Sequence, residues 1–326
     1  HVYNINGFQA LLITYALFIM LSVHNIISIS WIANNWLQLF VSANIFGYML
    51  TIIIYHKAIY YPSFVMDDRY SGSIMYDMIM GIELNPRIKN FDIKLFFNGR
   101  PGIIGWLLIN TSFMAYQYEK FGSISNSMII VYVLQAIYIL DFFFNESWYL
   151  RTIDISHDHF GWILTWGDCV WLPFMYTLQA AYLSNNYNVL SNLECFLILM
   201  IGFTGYIIFR CANYQKDSFR QGKYIGTYIE CQYRTSDDKI YTSKLLTSGC
   251  WGYARHMNYT GDILLSLAFC LPCGFYNILP YFYFIYMTLL LVIRCHRDEQ
   301  KCTEKYGKYW NDYCKKVTCR FIPYIY

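Results

Sequence analysis

Long apolar runs alternate with short polar connections along most of the chain. A helix needs about 20 mostly apolar residues to cross a bilayer. On this criterion the sequence predicts spans at about 8–30, 36–60, 102–118, 127–145, 169–184, 192–210, 247–272 and 278–294. We therefore expect an all-α, polytopic membrane protein with about eight transmembrane helices. Some of these runs are short enough to form re-entrant or broken segments.

Positive charge concentrates in three connections, at 87–100, 210–244 and 294–320. Cytoplasmic loops are the ones enriched in Lys and Arg. An even number of predicted spans separates each pair of these connections, so all three fall on one side of the membrane. The sequence predicts that they and both termini face the cytoplasm. Within the second connection, the polar stretch 234–243 predicts a small hairpin.

The composition supports a membrane protein. The 326 residues are 56% hydrophobic and only 14% charged, whereas soluble domains carry about 25% charged residues. A net charge of +3 is too small to indicate a nucleic-acid partner. The 11 cysteines are odd in number and scattered, which favours free thiols over a disulfide framework.

The segment 146–168, "ESWYLRTIDISHDHFGWILTWGD", interrupts the apolar pattern with acidic and imidazole side chains. Polar groups at membrane depth are costly and are commonly functional. The segment is either an interfacial loop or a re-entrant segment that lines a ligand cavity. Its single H-x-H pair, His157 and His159, lacks the histidine boxes of membrane di-iron enzymes, and "CLPC" (270–273) has no second cysteine pair. We therefore expect no metal site.

The last third of the chain combines cations, aromatic rings and polar side chains. Lys216 and Arg220 are four residues apart and share one helical face. The stretches 254–261 and 294–313 add further basic, aromatic and carboxylate residues. If these converge, they form a pocket for a phosphorylated nucleotide. They are otherwise ordinary cytoplasmic anchors. No G-x-G-x-x-G motif follows a strand, so such a site must be built from membrane helices.

Two long motifs resemble the signatures of the sterol reductase family, which includes C14 and C24(28) reductases. "GSIMYDMIMGIELNPR" (72–87) is similar to the first signature, and "HRDEQKCTEKYGKYWNDY" (296–313) to the second. The resemblance runs from about residue 4 to the C-terminus. One departure is Tyr309, which stands before Trp310 where the family usually has an acidic residue.

Within the family, the block 148–179 is most similar to the branch that reduces the C7–C8 bond of 5,7-diene sterols. The C14 branch has H-D-G-F-G where this chain has "HDHFG". The resemblance implies an NADPH-dependent oxidoreductase of sterol biosynthesis that acts on a CH–CH group in the endoplasmic reticulum membrane. Its partners would be a sterol and membrane lipid, with no nucleic acid; assembly with other sterol-biosynthesis enzymes is left open. It also implies a ten-helix fold, of which this sequence lacks the first two helices.

The resemblance assigns the two halves of one continuous membrane domain. Residues 1–190 would hold the N-terminal helices and the sterol-pocket segment, and 191–326 the NADPH-binding module. The substrate-binding candidates are Asp154, His157 and Asp158. The catalytic candidates are Asp298 and Tyr138. The implied cofactor contacts are Lys216, Arg220, Leu246, Trp251, Arg255, His256, Asn258, Tyr259, Asp298, Cys302, Thr303, Glu304, Lys305, Tyr306 and Tyr313.

Three other functions stay open at this point. A sterol C14 reductase would share both signatures. A membrane methyltransferase of the isoprenylcysteine type shares an R-H-x-x-Y-x-G element, but typically has Pro after the His where this chain has Met257. A catalytically silent sterol-binding protein would keep the fold without turnover.

Overall fold

The computed structural model describes residues 3–234 and 240–322, and these are predominantly helical. The chain divides into two compact units, His1–Val189 and Leu190–Tyr326. The elements of the first unit are α1 (Gly7–Val23), α2 (Trp31–Asn34), α3 (Trp36–Tyr60), α4 (Ile74–Met80), β1 (Arg87–Ile88), β2 (Phe91–Asp92), α5 (Ile93–Gly99), α6 (Pro101–Phe121), α7 (Asn126–Phe144), α8 (Glu146–Tyr149), α9 (Ile153–Ser156), α10 (Trp162–Trp166), α11 (Leu172–Met175) and α12 (Leu178–Asn185).

The second unit is built around two long helices and a hairpin. Its elements are α13 (Asn192–Arg220), β3 (Tyr228–Arg234), β4 (Ile240–Leu246), α14 (Cys250–Tyr253), α15 (Met257–Cys270), α16 (Phe282–Tyr306) and α17 (Lys308–Lys316). Short 3₁₀ turns, Leu271–Cys273 and Leu279–Tyr281, connect α15 to α16.

Among the described residues, four helices are long and apolar enough to cross a membrane. They are Trp36–Tyr60, Asn126–Phe144, Asn192–Arg220 and Leu279–Tyr306, and Gly7–Val23 is a shorter apolar helix. This confirms the prediction of a polytopic helical membrane protein. The predicted run 169–184 is a broken helix rather than a straight one. It passes through a π-helical turn, Gly167–Trp171, which leads into α11 with Pro173 at its start.

The first signature lies directly against the segment 154–161, and two glycines make this approach possible. Gly81 has φ +86°, and a Cβ there would lie 2.5 Å from the Gly161 nitrogen. A Cβ on Gly161 would lie 2.6 Å from the Ile79 carbonyl oxygen. Real Cβ atoms do not approach backbone this closely, so the two backbones can cross only where both residues lack a side chain.

A fully buried lysine ties the same two segments together. Lys94 Nζ donates to the carbonyl oxygens of Leu84 (3.2 Å), Ile155 (2.9 Å) and Asp158 (2.6 Å). Burial lowers the pKa of Lys94 to about 8. The three carbonyls satisfy all three donors of the ammonium group. Lys94 therefore fixes the backbone of the predicted sterol-pocket segment against the end of the first signature.

In the second unit, α13 and α15 cross so closely that their backbones are in contact. A Cβ on Gly205 would lie 2.7 Å from the Gly261 carbonyl oxygen, and one on Gly261 would meet the Phe209 backbone. Small residues at such a crossing let membrane helices approach closely. The nearby hairpin is antiparallel from Tyr228↔Leu246 to Arg234↔Ile240. It is longer than the stretch 234–243 predicted, and residues 235–239 lie outside the described part.

Candidate cofactor and catalytic site

The Trp251 side chain lies where three elements of the second unit meet. Lys216 Nζ of α13 lies 4.1 Å from the centre of its ring, a cation–π contact. The indole nitrogen donates to the Ala212 carbonyl at 2.8 Å, and Tyr313 of α17 donates to the Trp251 carbonyl at 3.4 Å. Leu246, at the end of β4, packs on the same ring. Four predicted cofactor residues are therefore neighbours, although they are up to 97 positions apart.

A second group forms where the first turn of α15 faces α16. The His256 ring stacks on Tyr259, with centroids 4.9 Å apart and planes 16° from parallel. The Tyr259 hydroxyl donates to Asp298 Oδ2 at 3.0 Å. The Asn258 amide nitrogen donates to Asn213 Oδ1 of α13 at 3.4 Å. Asp298, the first catalytic candidate, is thus oriented by a residue of the R-H-x-x-Y element.

Two buried polar atoms in this group have no hydrogen-bond partner among the described residues. They are His256 Nε2 and Asn258 Oδ1. Most buried polar side-chain atoms in folded proteins are hydrogen-bonded to protein or water. An imidazole nitrogen and an amide oxygen suit the hydroxyl and carboxamide groups of a dinucleotide. The residues present therefore fit a bound NADPH.

Arg255 is occupied by protein partners. Its guanidinium reaches Glu299 Oε1 at 2.7 Å and donates to the carbonyls of Val317 (2.7 Å) and Thr318 (3.0 Å). The other oxygen of Glu299 accepts from Arg320 at 3.0 Å. Arg255 and Glu299 together therefore fasten the start of α15 to α16 and to the segment after α17.

The backbone reinforces the same attachment. The amides of Arg255 and His256 donate to the carbonyls of Cys319 (3.0 Å) and Arg320 (2.7 Å). The Thr260 hydroxyl donates to the Phe321 carbonyl. The start of α15, with its N-cap His256 and the stacked Tyr259, is therefore held by residues 319–321.

The run 302–306 contributes an aromatic and cationic edge. Lys305 Nζ lies 4.2 Å from the Tyr233 ring centre and 5.1 Å from that of Tyr306. Cys302 and Tyr306 pack on the cluster that contains Tyr313, and burial raises the pKa of Tyr313. The other predicted contacts, Arg220, Thr303 and Glu304, are exposed side chains of α13 and α16.

The remaining candidates lie in the first unit. Tyr138, on α7, has its ring 5.7 Å from that of Trp106, which donates to Gln135. His157 is exposed, with Nδ1 2.6 Å from the Ser156 hydroxyl. Asp154 is half-buried on α9, and Asp158 supplies its carbonyl to Lys94. The roles of these four residues stay predictions.

Two structural partners in the second unit were not predicted from the sequence. Glu299, the acceptor for Arg255 and Arg320, follows Asp298 directly in "HRDE". Asn213 precedes Lys216 by three residues, on the same face of α13. Among the described residues, ligand atoms of His256, Cys295 and Glu299 lie within 4.8 Å of one another. Both Glu299 oxygens are already paired with arginines, which disfavours a cation there.

Comparison with known proteins decides the family. Residues 1–326 match the model described as the ergosterol biosynthesis ERG4/ERG24 family. The chain belongs to this family. The sterol reductase resemblance found in the two signatures is therefore confirmed, and with it an integral membrane location.

Individual relatives of this ERG4/ERG24 protein support the same assignment. It is 57% identical to a probable 7-dehydrocholesterol reductase of Acanthamoeba polyphaga mimivirus, over 99% of the chain and 72% of that protein. It is 52% identical to the 7-dehydrocholesterol reductase of Danio rerio, over 99% of the chain and 70% of the relative. The Delta(14)-sterol reductase TM7SF2 of Mus musculus is 41% identical, over 99% of the chain and 77% of the relative. These names favour neither a methyltransferase nor a silent binding protein.

Proposed function

We propose that this protein reduces the C7–C8 double bond of 5,7-diene sterols, with NADPH as the reductant. The observation that carries the proposal is the identity of 52–57%, over 99% of the chain, to proteins named 7-dehydrocholesterol reductase. The "HDHFG" block supports the same bond specificity. The proposal includes an endoplasmic reticulum membrane location, with the cofactor site facing the cytoplasm.

Two features of the second unit support NADPH as the cofactor: its positive charge and its buried polar atoms without a described hydrogen-bond partner. Lys216 and Arg220 supply two cations one turn apart for a ribose phosphate. His256 Nε2 and Asn258 Oδ1 offer buried hydrogen-bonding atoms close to Tyr259 and Asp298. When bound, NADPH supplies the hydride.

The chain must supply and control a proton. Reduction of an unactivated alkene adds a proton to one carbon and a hydride to the other, and the carbocation formed between these steps must be shielded from water. The Tyr259 hydroxyl holds the Asp298 carboxylate in a fixed orientation. From there Asp298 stabilises positive charge or passes a proton from solvent. Tyr138 is the candidate for the proximal donor to the sterol ring.

The test is to express the protein in a cell that lacks sterol C7 reduction and to analyse the sterols. We expect the 5,7-diene to disappear and its 5-ene product to accumulate. Deuterium from labelled NADPH should appear in the product. Loss of a C14–C15 alkene with the 5,7-diene untouched would instead assign the protein to the C14 branch, which its 41% identical relative represents.

A further inference from the structure

A buried polar cluster in the first unit has hydrogen-bonding atoms that no group in residues 3–234 and 240–322 satisfies. Asp168 is only 6% exposed. Its Oδ1 accepts from the Asn98 amide at 2.8 Å, whereas its Oδ2 has no partner among the described residues. The hydroxyl of Tyr149 is also buried and also without a described partner.

The end of α5 brings these groups together. The Asn98 amide donates a hydrogen bond to Asp168. The next residue is Gly99, and a Cβ placed on it would lie 3.4 Å from the Tyr149 ring. Burial and the charge of the nearby Asp168 carboxylate raise the pKa of Tyr149 well above its usual value. Both unsatisfied atoms therefore belong to residues that flank the end of α5, although these residues lie 19 positions apart in the sequence.

The backbone at this site is irregular as well. Asp168 lies in the π-helical turn Gly167–Trp171, and such turns inside helices occur frequently at functional sites. Apolar side chains border the site: the Phe142 ring lies 4.8 Å from that of Tyr149, and Val170 is fully buried. Arg100, Glu146 and Asp154 are also close enough to act on Tyr149 electrostatically. Leaving a buried polar atom without a partner costs free energy. A ligand that is apolar except for one polar group would satisfy both atoms.

We propose that Asp168 and Tyr149 bind the single hydroxyl group of the sterol substrate. The hydroxyl would donate to Asp168 Oδ2 and accept from the Tyr149 hydroxyl, while Asn98 fixes the carboxylate. A hydroxyl has one donor and two acceptor sites, which matches one free acceptor and one free donor. The inference rests on the proposed function for the identity of the ligand. It assigns specificity for the hydroxyl, not the reduction itself.

The test compares a 5,7-diene sterol with its 3-deoxy analogue, using the full chain in detergent or vesicles. The variants are Asp168→Asn and Tyr149→Phe. Each should lower kcat/KM for the hydroxylated sterol by about tenfold or more, mainly through KM. Turnover of the deoxy analogue should stay within about twofold of wild type, and this also shows that the variant is folded.

The matched control is Tyr132→Phe in the same unit. It removes a half-buried tyrosine hydroxyl that already has partners, Tyr15 at 3.0 Å and Thr111 at 3.3 Å. We expect the preference for the hydroxylated sterol to be unchanged in this variant. A preference that changes as much as in Tyr149→Phe would overturn the assignment.

Two further outcomes overturn the proposal. If a trapped water alone satisfies these atoms, Asp168→Asn and Tyr149→Phe will both keep the wild-type preference for the hydroxylated sterol. Both sterols lose turnover equally if Asp168 acts as a proton donor or only supports the fold. Binding is measured in parallel, as competition of each sterol with a fluorescent sterol. A wild-type protein that binds with the hydroxyl preference but reduces neither diene contradicts the proposed function and leaves this subsite standing.

Discussion

At the scale of single residues, Asp298 carries the catalytic prediction. Its carboxylate accepts from Tyr259 at 3.0 Å and is half-buried on α16. Asp298→Asn keeps the volume but removes the charge and any proton transfer. We expect sterol turnover to fall about a hundredfold or more, as for a general acid–base group. Cofactor affinity, measured on the same purified variant, should fall much less.

The control for this prediction is Asp312→Asn, which makes the same substitution at an exposed carboxylate of α17. A solvated charge of this kind is worth about 1 kcal/mol or less, so turnover should stay within a few-fold of wild type. If Asp298→Asn behaves like Asp312→Asn while cofactor binding is intact, Asp298 has no catalytic role. Tyr138→Phe is then the variant to make.

Lys216 and Arg220 carry the prediction for cofactor phosphate. Replacing both with glutamate reverses two charges on one face of α13. The KM for NADPH should rise far more than the KM for sterol, because phosphate attraction is lost while the sterol contacts are unchanged. Initial rates measured with each substrate varied in turn test this. The comparison variant is Lys315→Glu, a cation whose side chain is 79% exposed on α17. Equal rises in the two KM values would contradict direct phosphate binding.

At the scale of elements, the start of α15 depends on the segment after α17. Arg255→Ala removes the cation from a buried pair and leaves the carbonyls of Val317 and Thr318 without their donor. Removing one partner of a buried ion pair costs about 3–5 kcal/mol. Arg320 still neutralises one oxygen of Glu299, so we expect the lower end of that range.

The measurement is thermal unfolding in detergent, with Lys315→Ala as control. That variant removes an exposed ion pair with Asp312, at 3.6 Å, and should change stability by less than about 1 kcal/mol. Arg255→Ala should also weaken cofactor binding, because the same turn carries His256 and Asn258. A stability loss no larger than that of the control would contradict the anchoring role of Arg255.

At the scale of the whole molecule, the charge pattern predicts an orientation in the membrane. The connection that contains Lys223 should face the cytoplasm, and the connection at 185–191 the opposite side. Single cysteines at two exposed positions, Lys223→Cys and Asn186→Cys, test this in sealed vesicles. An impermeant thiol reagent applied from the cytoplasmic side should label Lys223→Cys more strongly than the wild-type protein, whose native cysteines set the background. It should not label Asn186→Cys above that background. Labelling in the reverse order would invert the topology.

The sequence by itself determined the helical class and the family. Hydropathy is a local property, so α3 and α7 begin and end within a few residues of the predicted runs 36–60 and 127–145. Both family signatures are continuous stretches and can be identified without a structure. The same locality explains the hairpin, whose existence the polar stretch 234–243 predicted while its length was underestimated. The strands extend to Tyr228 and Leu246 through cross-strand pairing that polarity does not reveal.

The tertiary structure decided which polar residues have hydrogen-bond partners within the described part of the chain and which have atoms without one. Arg255 and Asn258 look alike in sequence as polar residues at the mouth of one helix. Only the fold shows that Arg255 is held by Glu299, 44 positions away, while Asn258 Oδ1 meets no hydrogen-bond partner within the described part of the chain. The same holds for Asp168, which meets Asn98 across 70 positions. The physical reason is that hydrogen bonding depends on distances of about 3 Å between atoms, and the folded backbone alone sets these distances between residues far apart in the chain.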